Sequence, residues 1–303
     1  MALLFLSYPE RGEVWKRVFA AAGEEIFLGI EEVRDPAAVT HIATWVPPVD
    51  LSAYPNLEVL ISIGAGVDQM PRLPEGVRLS RTLAASVDTM VRNWVVMAVL
   101  MLSRDMPTYL AQAARGDWRA QPIVPAAKLR IGILGLGRIG QMAAAALLAL
   151  GYPVAGWSRS GRPVEGVEVY GAAQLPEFLA RSDVLICLLP LTPETRGLLD
   201  AAFLAQLPMG ARLVQAGRGA QLDMGALRAA LDSGRLVSAM LDVTDPEPLP
   251  QDHWAWTDPR VIVTPHVGGQ TDAEEGAQHA LAVIRAGRAG QPLPGLVEQA
   301  RGY

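Results

Sequence analysis

Three residues suited to proton and anion chemistry each follow an apolar run. Arg218 stands in AGRGAQ after RLVQA, Glu247 in DVTDPEPLP after LVSAML, and His266 just beyond VIVTP. Such runs read as buried strands, and open α/β sheets bind ligands beyond the carboxyl ends of their strands. An arginine there can pair with a carboxylate and polarise a carbonyl through its fork of N–H donors. A histidine can give a proton as imidazolium and take it back as imidazole, and a neighbouring carboxylate favours the charged ring and orients it. The trio would serve hydride transfer to a ketone, where the developing alkoxide needs a proton and a neighbouring carboxylate needs a cation. Spacing alone does not bring the three together, and ordinary polar residues of strand-end loops satisfy the same pattern. His41 at a strand start, His253 in QDHWAW and His279 in the last helical segment read as structural histidines.

Gly135, Gly137 and Gly140 form a GxGxxG pattern. A lone match means little, but this one follows the apolar run RIGIL and opens an alanine/leucine helix, the context a dinucleotide site requires. Gly135 would make the tight turn, Gly137 would leave room for a pyrophosphate, and Gly140 would let helix and sheet approach. An NAD site usually places an acidic residue at the end of the next strand, roughly twenty positions on, for the adenosine ribose. Here the segment is GWSRS, with Ser158 at the acidic position and Arg159 after it. A carboxylate would repel a 2′-phosphate, whereas serine and arginine can bind one, so NADP(H) is favoured and NAD(H) remains possible.

A second glycine-rich turn, SIGAGVD, could hold a carboxylate on the backbone N–H groups of Ala65 and Gly66, and Trp45 in ATWVPP could wall the same pocket or sit in the core. The single cysteine, Cys187 in VLICLL, reads as a small buried hydrophobe. No metal site is expected, because HExxH, cysteine pairs and histidine/carboxylate clusters are missing from the sequence. The net charge of -5 gives no reason to expect a nucleic-acid partner. The first residues lack the basic start and apolar length of a signal peptide, and the longest alanine/leucine stretch is broken by Gly151 and Pro153. A cytoplasmic protein with no membrane partner is the expectation.

The elements that must position these residues alternate in type. ALLFLS (2–7), EIFLG (25–29), HIATWV (41–46) and LEVLISI (57–63) read as strands, with an apolar helical stripe in GEVWKRVFAAAG (12–23). The nearly apolar TMVRNWVVMAVLMLSRD (89–105) predicts a helix buried between layers or between subunits. From about residue 128, strands at 129–134, 184–189, 212–216, 236–241 and 261–264 alternate with helical segments, and PVAGWS and VEVY add two more strands. That alternation predicts right-handed crossovers and an open, doubly wound sheet. The last helix is expected to start at a capping box of Thr271 and Glu274 and to pack back on the first domain. A substrate cleft between two domains is the expected arrangement.

In order and spacing, GAGVD, GILGLGRIG, GWSRS, LLPLTPETRGLLD, AGRGAQLD, LDVTDPEPLP and TPHVGG resemble the D-isomer-specific 2-hydroxyacid dehydrogenases over essentially the whole chain. Within that family the chain looks most like the NADPH-preferring glyoxylate/hydroxypyruvate reductase A branch. The resemblance implies an α/β protein of two Rossmann-like domains with parallel sheets, the nucleotide-binding one doubly wound. It places a substrate domain at 1–98 plus 275–303 and a dinucleotide domain at 99–274. It makes Arg218 the substrate-binding arginine, Glu247 the acidic partner and His266 the acid/base. Substrate binding would also involve Trp45, Ala65 and Gly66. Cofactor contacts would come from Gly135, Gly137, Arg138, Ile139, Gly140, Ser158, Arg159, Leu189, Pro190 and Asp242. It implies a homodimer that reduces glyoxylate and hydroxypyruvate to glycolate and D-glycerate. A bulkier 2-oxo acid substrate, or a catalytically silent NAD(P)-binding corepressor or sensor, are the alternatives. Two segments depart from the family pattern: VRNWVV where relatives carry an acidic residue and an aromatic, and the glycine-rich VGGQT after His266.

Overall fold

A computed structural model of the chain describes residues 2–297. The chain divides into two compact units, Met1–Val87 with Gln270–Tyr303, and Asp88–Gly269.

The first unit begins with β1 (Ala2–Leu6), α1 (Pro9–Ala22), β2 (Glu25–Leu28), β3 (Val39–Thr44), β4 (Val59–Ser62) and β5 (Arg78–Arg81). All five strands are parallel, in the order β2-β1-β3-β4-β5. β3 and β4 are buried along their whole length, as strands covered on both faces must be. Helix α1 starts where Pro9 supplies a ready-made φ and Glu10 meets the helix dipole, and it stops at Gly23, whose φ of 69° only glycine adopts cheaply. Its buried Trp15 and Phe19 stack at 6.0 Å, and Phe5 of β1 lies 4.4 Å from the Trp15 ring.

Helix α2 (Ala85–Ser103) leads into the second unit. Trp94, Val95, Ala98, Val99 and Leu102 bury one face of it in the second unit's core. Met90, Met97 and Leu100 on the opposite face are exposed. By length and composition α2 could cross a membrane, but its buried face belongs to the packed core. There follow α3 (Met106–Ala113), β6 (Ile131–Leu134), α4 (Arg138–Ala149), β7 (Val154–Trp157), β8 (Glu168–Tyr170), α5 (Leu175–Ala180) and β9 (Val184–Cys187). Then come α6 (Ala201–Leu204), β10 (Ala211–Gln215), α7 (Met224–Asp232), β11 (Leu236–Leu241) and β12 (Val261–Val263).

The seven strands are parallel in the order β12-β11-β10-β9-β6-β7-β8. Chain order reverses between β6 and β9, which creates the switch point where a doubly wound sheet opens a crevice. Two apolar cores cover the sheet, one gathered around α7 and the other around α2 and α4. Cys187 is fully buried in the first of these, and burial pushes its thiol up to about 12.

The chain then returns to the first unit as α8 (Ala273–Arg288). Ala277, Ala280, Leu281 and Ile284 join the core that holds Trp15 and Phe19. Gly276 permits the close approach, since a Cβ there would stand 3.2 Å from the Trp15 ring. The helix start differs from the capping box read in the sequence. Asp272 is the N-cap, accepting the Glu274 and Glu275 N–H groups at 2.9 and 3.0 Å. Thr271 is buried, while the carboxylate one residue on is both a better acceptor and a charge of the right sign for the helix dipole.

Candidate active site

Three loops at the carboxyl ends of β10, β11 and β12 carry the acid, base and cation groups of the second unit. His266 has φ 53°, a left-handed conformation uncommon for a residue with a side chain. Asp242 holds that turn. Its carbonyl accepts the His266 N–H at 2.8 Å. Its nearly buried carboxylate accepts the Thr264 hydroxyl at 2.6 Å and the N–H groups of Val267 and Gly268 at 2.9 and 2.7 Å. Gly268 has to be small, because a Cβ would lie 2.6 Å from an Asp242 carboxylate oxygen. This accounts for one glycine of the VGGQT departure. In the other departure, Trp94 is buried in the core beside α4, and Arg92 donates to Asn93 on the exposed side of α2.

The turn aims the imidazole at Glu247, with Nδ1 2.9 Å from Oε2. Oε1 of the same carboxylate accepts the Thr244 N–H at 3.0 Å. Burial works against the charged carboxylate. The His266 hydrogen bond, the Thr244 N–H and the charges of His266 and Arg218 outweigh it and hold Glu247 below the usual carboxylate range. An ionised carboxylate only accepts, so Nδ1 carries its proton toward Glu247 and Nε2 is the nitrogen that gives or takes the transferred one. Arg218 is half-buried in an extended backbone conformation, with Nη1 donating to the Gly217 carbonyl at 2.8 Å. Its N–H is held by Gln221 Oε1 and its carbonyl by Gln215 Nε2, both at 2.8 Å.

The nucleotide end of the unit fits a dinucleotide. Gly135 at the end of β6 has φ 103°, and a Cβ there would press on the Leu188 carbonyl at 3.0 Å. A Cβ on Gly140 would collide with the Gly135 carbonyl, so both glycines are required by packing. Gly137 is different: a Cβ there would meet nothing within 4 Å, and α4 starts without a side-chain cap. Open space thus lies over an uncapped helix N-terminus, as a pyrophosphate requires. Arg138 forms an ion pair with the buried Asp88 at 2.7 Å, and Ile139 is half-buried in the first turn. At the end of β7, Ser158 donates its N–H to the Tyr170 carbonyl at 3.1 Å, and Arg159 next to it is exposed.

In the first unit, the Trp45 ring lies on Gly64, where a Cβ would stand 2.6 Å from it. The buried Ser62 donates to the Gly66 carbonyl at 2.7 Å and shapes the turn that exposes Ala65. The remaining histidines have other partners. His41 is buried beside the Thr40 hydroxyl, and burial lowers its pKa to about 4. His279 lies 3.3 Å from the Ser80 hydroxyl, and His253 Nδ1 accepts the Ala255 N–H at 3.3 Å. Among the described residues, no group of three or more histidine, cysteine or carboxylate side chains could hold a metal ion.

Residues 96–268 match the family model described as D-isomer specific 2-hydroxyacid dehydrogenase, NAD binding domain. A glyoxylate/hydroxypyruvate reductase A of Salmonella newport is 36% identical over 281 residues, covering 90% of each chain. The chain belongs to the D-isomer specific 2-hydroxyacid dehydrogenases. Two solved structures of the family are similar over nearly their whole length. One, from Xanthobacter autotrophicus in complex with NADPH and MES, has a TM-score of 0.91 and 37% identity, covering 100% of this chain and 99% of that one. The other is an NADPH-dependent glyoxylate/hydroxypyruvate reductase of Sinorhizobium meliloti in complex with NADP and sulfate. Its TM-score is 0.92 with 36% identity and full coverage of both chains.

Three residues that shape the site in this family member escaped the sequence reading: Gln215, Gln221 and Thr244. Each acts on backbone groups, so its type carries no reactive signature. Asp242, expected at the cofactor, is engaged through its carboxylate with the turn that bears His266. The one hint in the sequence was the pair Gly217 and Gly219 flanking Arg218, a sign of close backbone approach.

Proposed function

We propose that the chain reduces small 2-oxo acids, glyoxylate and hydroxypyruvate, to glycolate and D-glycerate with NADPH. The observation that carries this reading is the His266–Glu247 contact at 2.9 Å in the same unit as Arg218 and the open glycine turn at Gly137. NADPH, when bound, supplies the hydride that the carbonyl carbon accepts. Arg218 binds the substrate carboxylate and polarises the carbonyl, and in the first unit the turn at Ala65 and Gly66 offers N–H groups suited to a carboxylate. His266 passes the proton on Nε2 to the carbonyl oxygen as the alkoxide develops, and Glu247 stabilises the imidazolium before transfer. The glycine turn at Gly135, Gly137 and Gly140 and the helix start at Arg138 and Ile139 would hold the pyrophosphate, with further cofactor contacts from Leu189, Pro190 and Asp242. Ser158 and Arg159 take the 2′-phosphate.

The working molecule is a homodimer, a reading supported by the exposed Met90, Met97 and Leu100 on one face of α2 and by exposed Trp118 and Ile123 farther on.

Initial rates of NADPH and NADH oxidation with glyoxylate, hydroxypyruvate and a bulkier 2-oxo acid test the reading. Ser158→Asp should lower kcat/KM for NADPH by about 10- to 100-fold, the worth of a charge-assisted hydrogen bond, and spare NADH. Turnover with NADH alone would remove the cofactor assignment. Turnover of the bulky acid alone would move the substrate class, and none at all would favour a silent sensor.

A further inference from the structure

Between the exits of β9 and β10 lies a buried polar cluster that the chemistry above leaves unused. Gln221 is fully buried, and both polar atoms of its amide are engaged. Oε1 accepts the Arg218 N–H at 2.8 Å, while Nε2 donates to the carbonyls of Leu189 and Pro190 at 3.1 and 3.0 Å. The equally buried Gln215 donates to the Arg218 carbonyl at 2.8 Å. Both peptide groups flanking the Arg218 Cα are therefore held by side-chain amides and not by a neighbouring strand. The backbone leaves room for this arrangement. A Cβ on Gly217 would collide with Gln221 Oε1 and stand 2.9 Å from the Leu189 carbonyl. A Cβ on Gly219 would run into the Thr244 carbonyl, in the loop whose Thr244 N–H holds Glu247.

Burying a primary amide is costly unless each polar atom is paired. A methionine could fill much of the same volume without that cost. It would leave the Arg218 N–H and the Leu189 carbonyl without the partners Gln221 supplies, while the Pro190 carbonyl would keep the Thr195 hydroxyl at 2.7 Å. A glutamine at this point thus does something packing alone does not require. It ties the arginine turn after β10 to the turn after β9.

We propose that Gln221 is a positioning residue for the reduction, setting Arg218 relative to the Leu189–Pro190 turn, which would contact the cofactor when it is bound. The proposal rests on the reading of Arg218 as the ligand of the substrate carboxylate. Gln221 touches neither reactant and acts through the Arg218 backbone. Its loss should therefore misalign the carbonyl carbon and the hydride while leaving most cofactor contacts, at 135–140 and 158–159, in place.

The test compares Gln221→Met, Gln221→Glu and Arg218→Lys with the unaltered enzyme. Gln221→Met should lower kcat with glyoxylate about 100-fold, the size of effect that a 1 Å misplacement produces, with NADPH affinity from nicotinamide fluorescence unchanged. Gln221→Glu keeps the shape. Protonated, its carboxyl accepts from Arg218 and donates to one carbonyl, whereas ionised it sets a charge against two carbonyl oxygens. Its kcat should hold at low pH and fall as the carboxyl ionises, adding a limb that the unaltered enzyme lacks, with no matching limb in NADPH affinity. A merely structural role would lower Tm in both variants and leave kcat per folded molecule and the pH profile as they were, and that result overturns the proposal. If Gln221→Met fails to fold, the pH profile of Gln221→Glu decides alone. Arg218→Lys separates the two readings. A raised glyoxylate KM there beside normal Gln221 variants removes only the positioning role, and an unchanged KM removes the substrate reading together with the proposal.

Discussion

His266 sits in a left-handed backbone conformation with its ring on Glu247, and the strain is held by hydrogen bonds to Asp242. Residues kept in such regions cost on the order of 1–3 kcal/mol and persist where surrounding structure over-determines them. Here the return is direction: the turn presents Nδ1 to a carboxylate held ionised and leaves Nε2 to exchange the proton. His266→Asn keeps a residue that tolerates the left-handed region and removes the proton donor. We expect kcat to fall by about 10²- to 10⁴-fold with NADPH binding intact, measured by steady-state rates and by fluorescence titration. A kcat within a few-fold of normal would mean that the proton comes from another group. Arg218, Glu247 and His266 stood out in sequence as ionisable residues beyond apolar strands, a pattern that ordinary loop residues also satisfy, and the 2.9 Å contact between His266 and Glu247 is what the structure adds. Gln215, Gln221 and Thr244 did not stand out, because a residue that binds or offers backbone groups can be of many types, and the Leu189 and Pro190 carbonyls that Gln221 reaches lie more than thirty positions away.

At the scale of elements, strands announced themselves. β11 spans the whole apolar run read from sequence, and β4, β6 and β9 are the runs read there, shortened by two or three residues where the chain leaves the ladder. Short helices did not: α3 and α6, of 8 and 4 residues, are too brief to display a period. The near-uniform hydrophobicity of α2 predicts burial between layers or between subunits; one face packs in the second unit's core, and Met90, Met97 and Leu100 on the other are exposed in the single chain. Caps are finer still, since Thr271 and Asp272 are adjacent and both are cap formers. The structure distinguishes them by burial, and unfolding can check the choice. Asp272→Ala should cost about 1 kcal/mol, read as a lowered Tm, because the Glu274 and Glu275 N–H groups lose their acceptor. An unchanged Tm would move the cap elsewhere.

For the whole molecule, the exposed face of α2 is the largest question. Met90, Met97 and Leu100 recur on one side of the helix, and Leu110, Trp118, Ile123 and Val124 extend the exposed apolar residues along the following chain. A lipid bilayer is a poor partner for this face. Drawing α2 into it would strip Trp94, Val95, Ala98, Val99 and Leu102 from the core they share with α4 and the sheet, at roughly 1.5–3 kcal/mol for each large α4 or sheet side chain then left facing water. A second copy of the chain, as proposed above, would cover the same residues and leave that core whole. Obligate homodimer interfaces of this kind are more apolar than ordinary surface. We therefore expect the unaltered protein to elute with the mass of a dimer in size-exclusion chromatography with light scattering, and Met97→Glu combined with Leu100→Glu to elute as a monomer. Both substituted positions lie on the exposed face, so the double variant should keep its folded far-UV spectrum and its affinity for NADPH. A monomeric unaltered protein at micromolar concentration would sink the dimer reading, and a double variant that stayed dimeric would move the interface off α2.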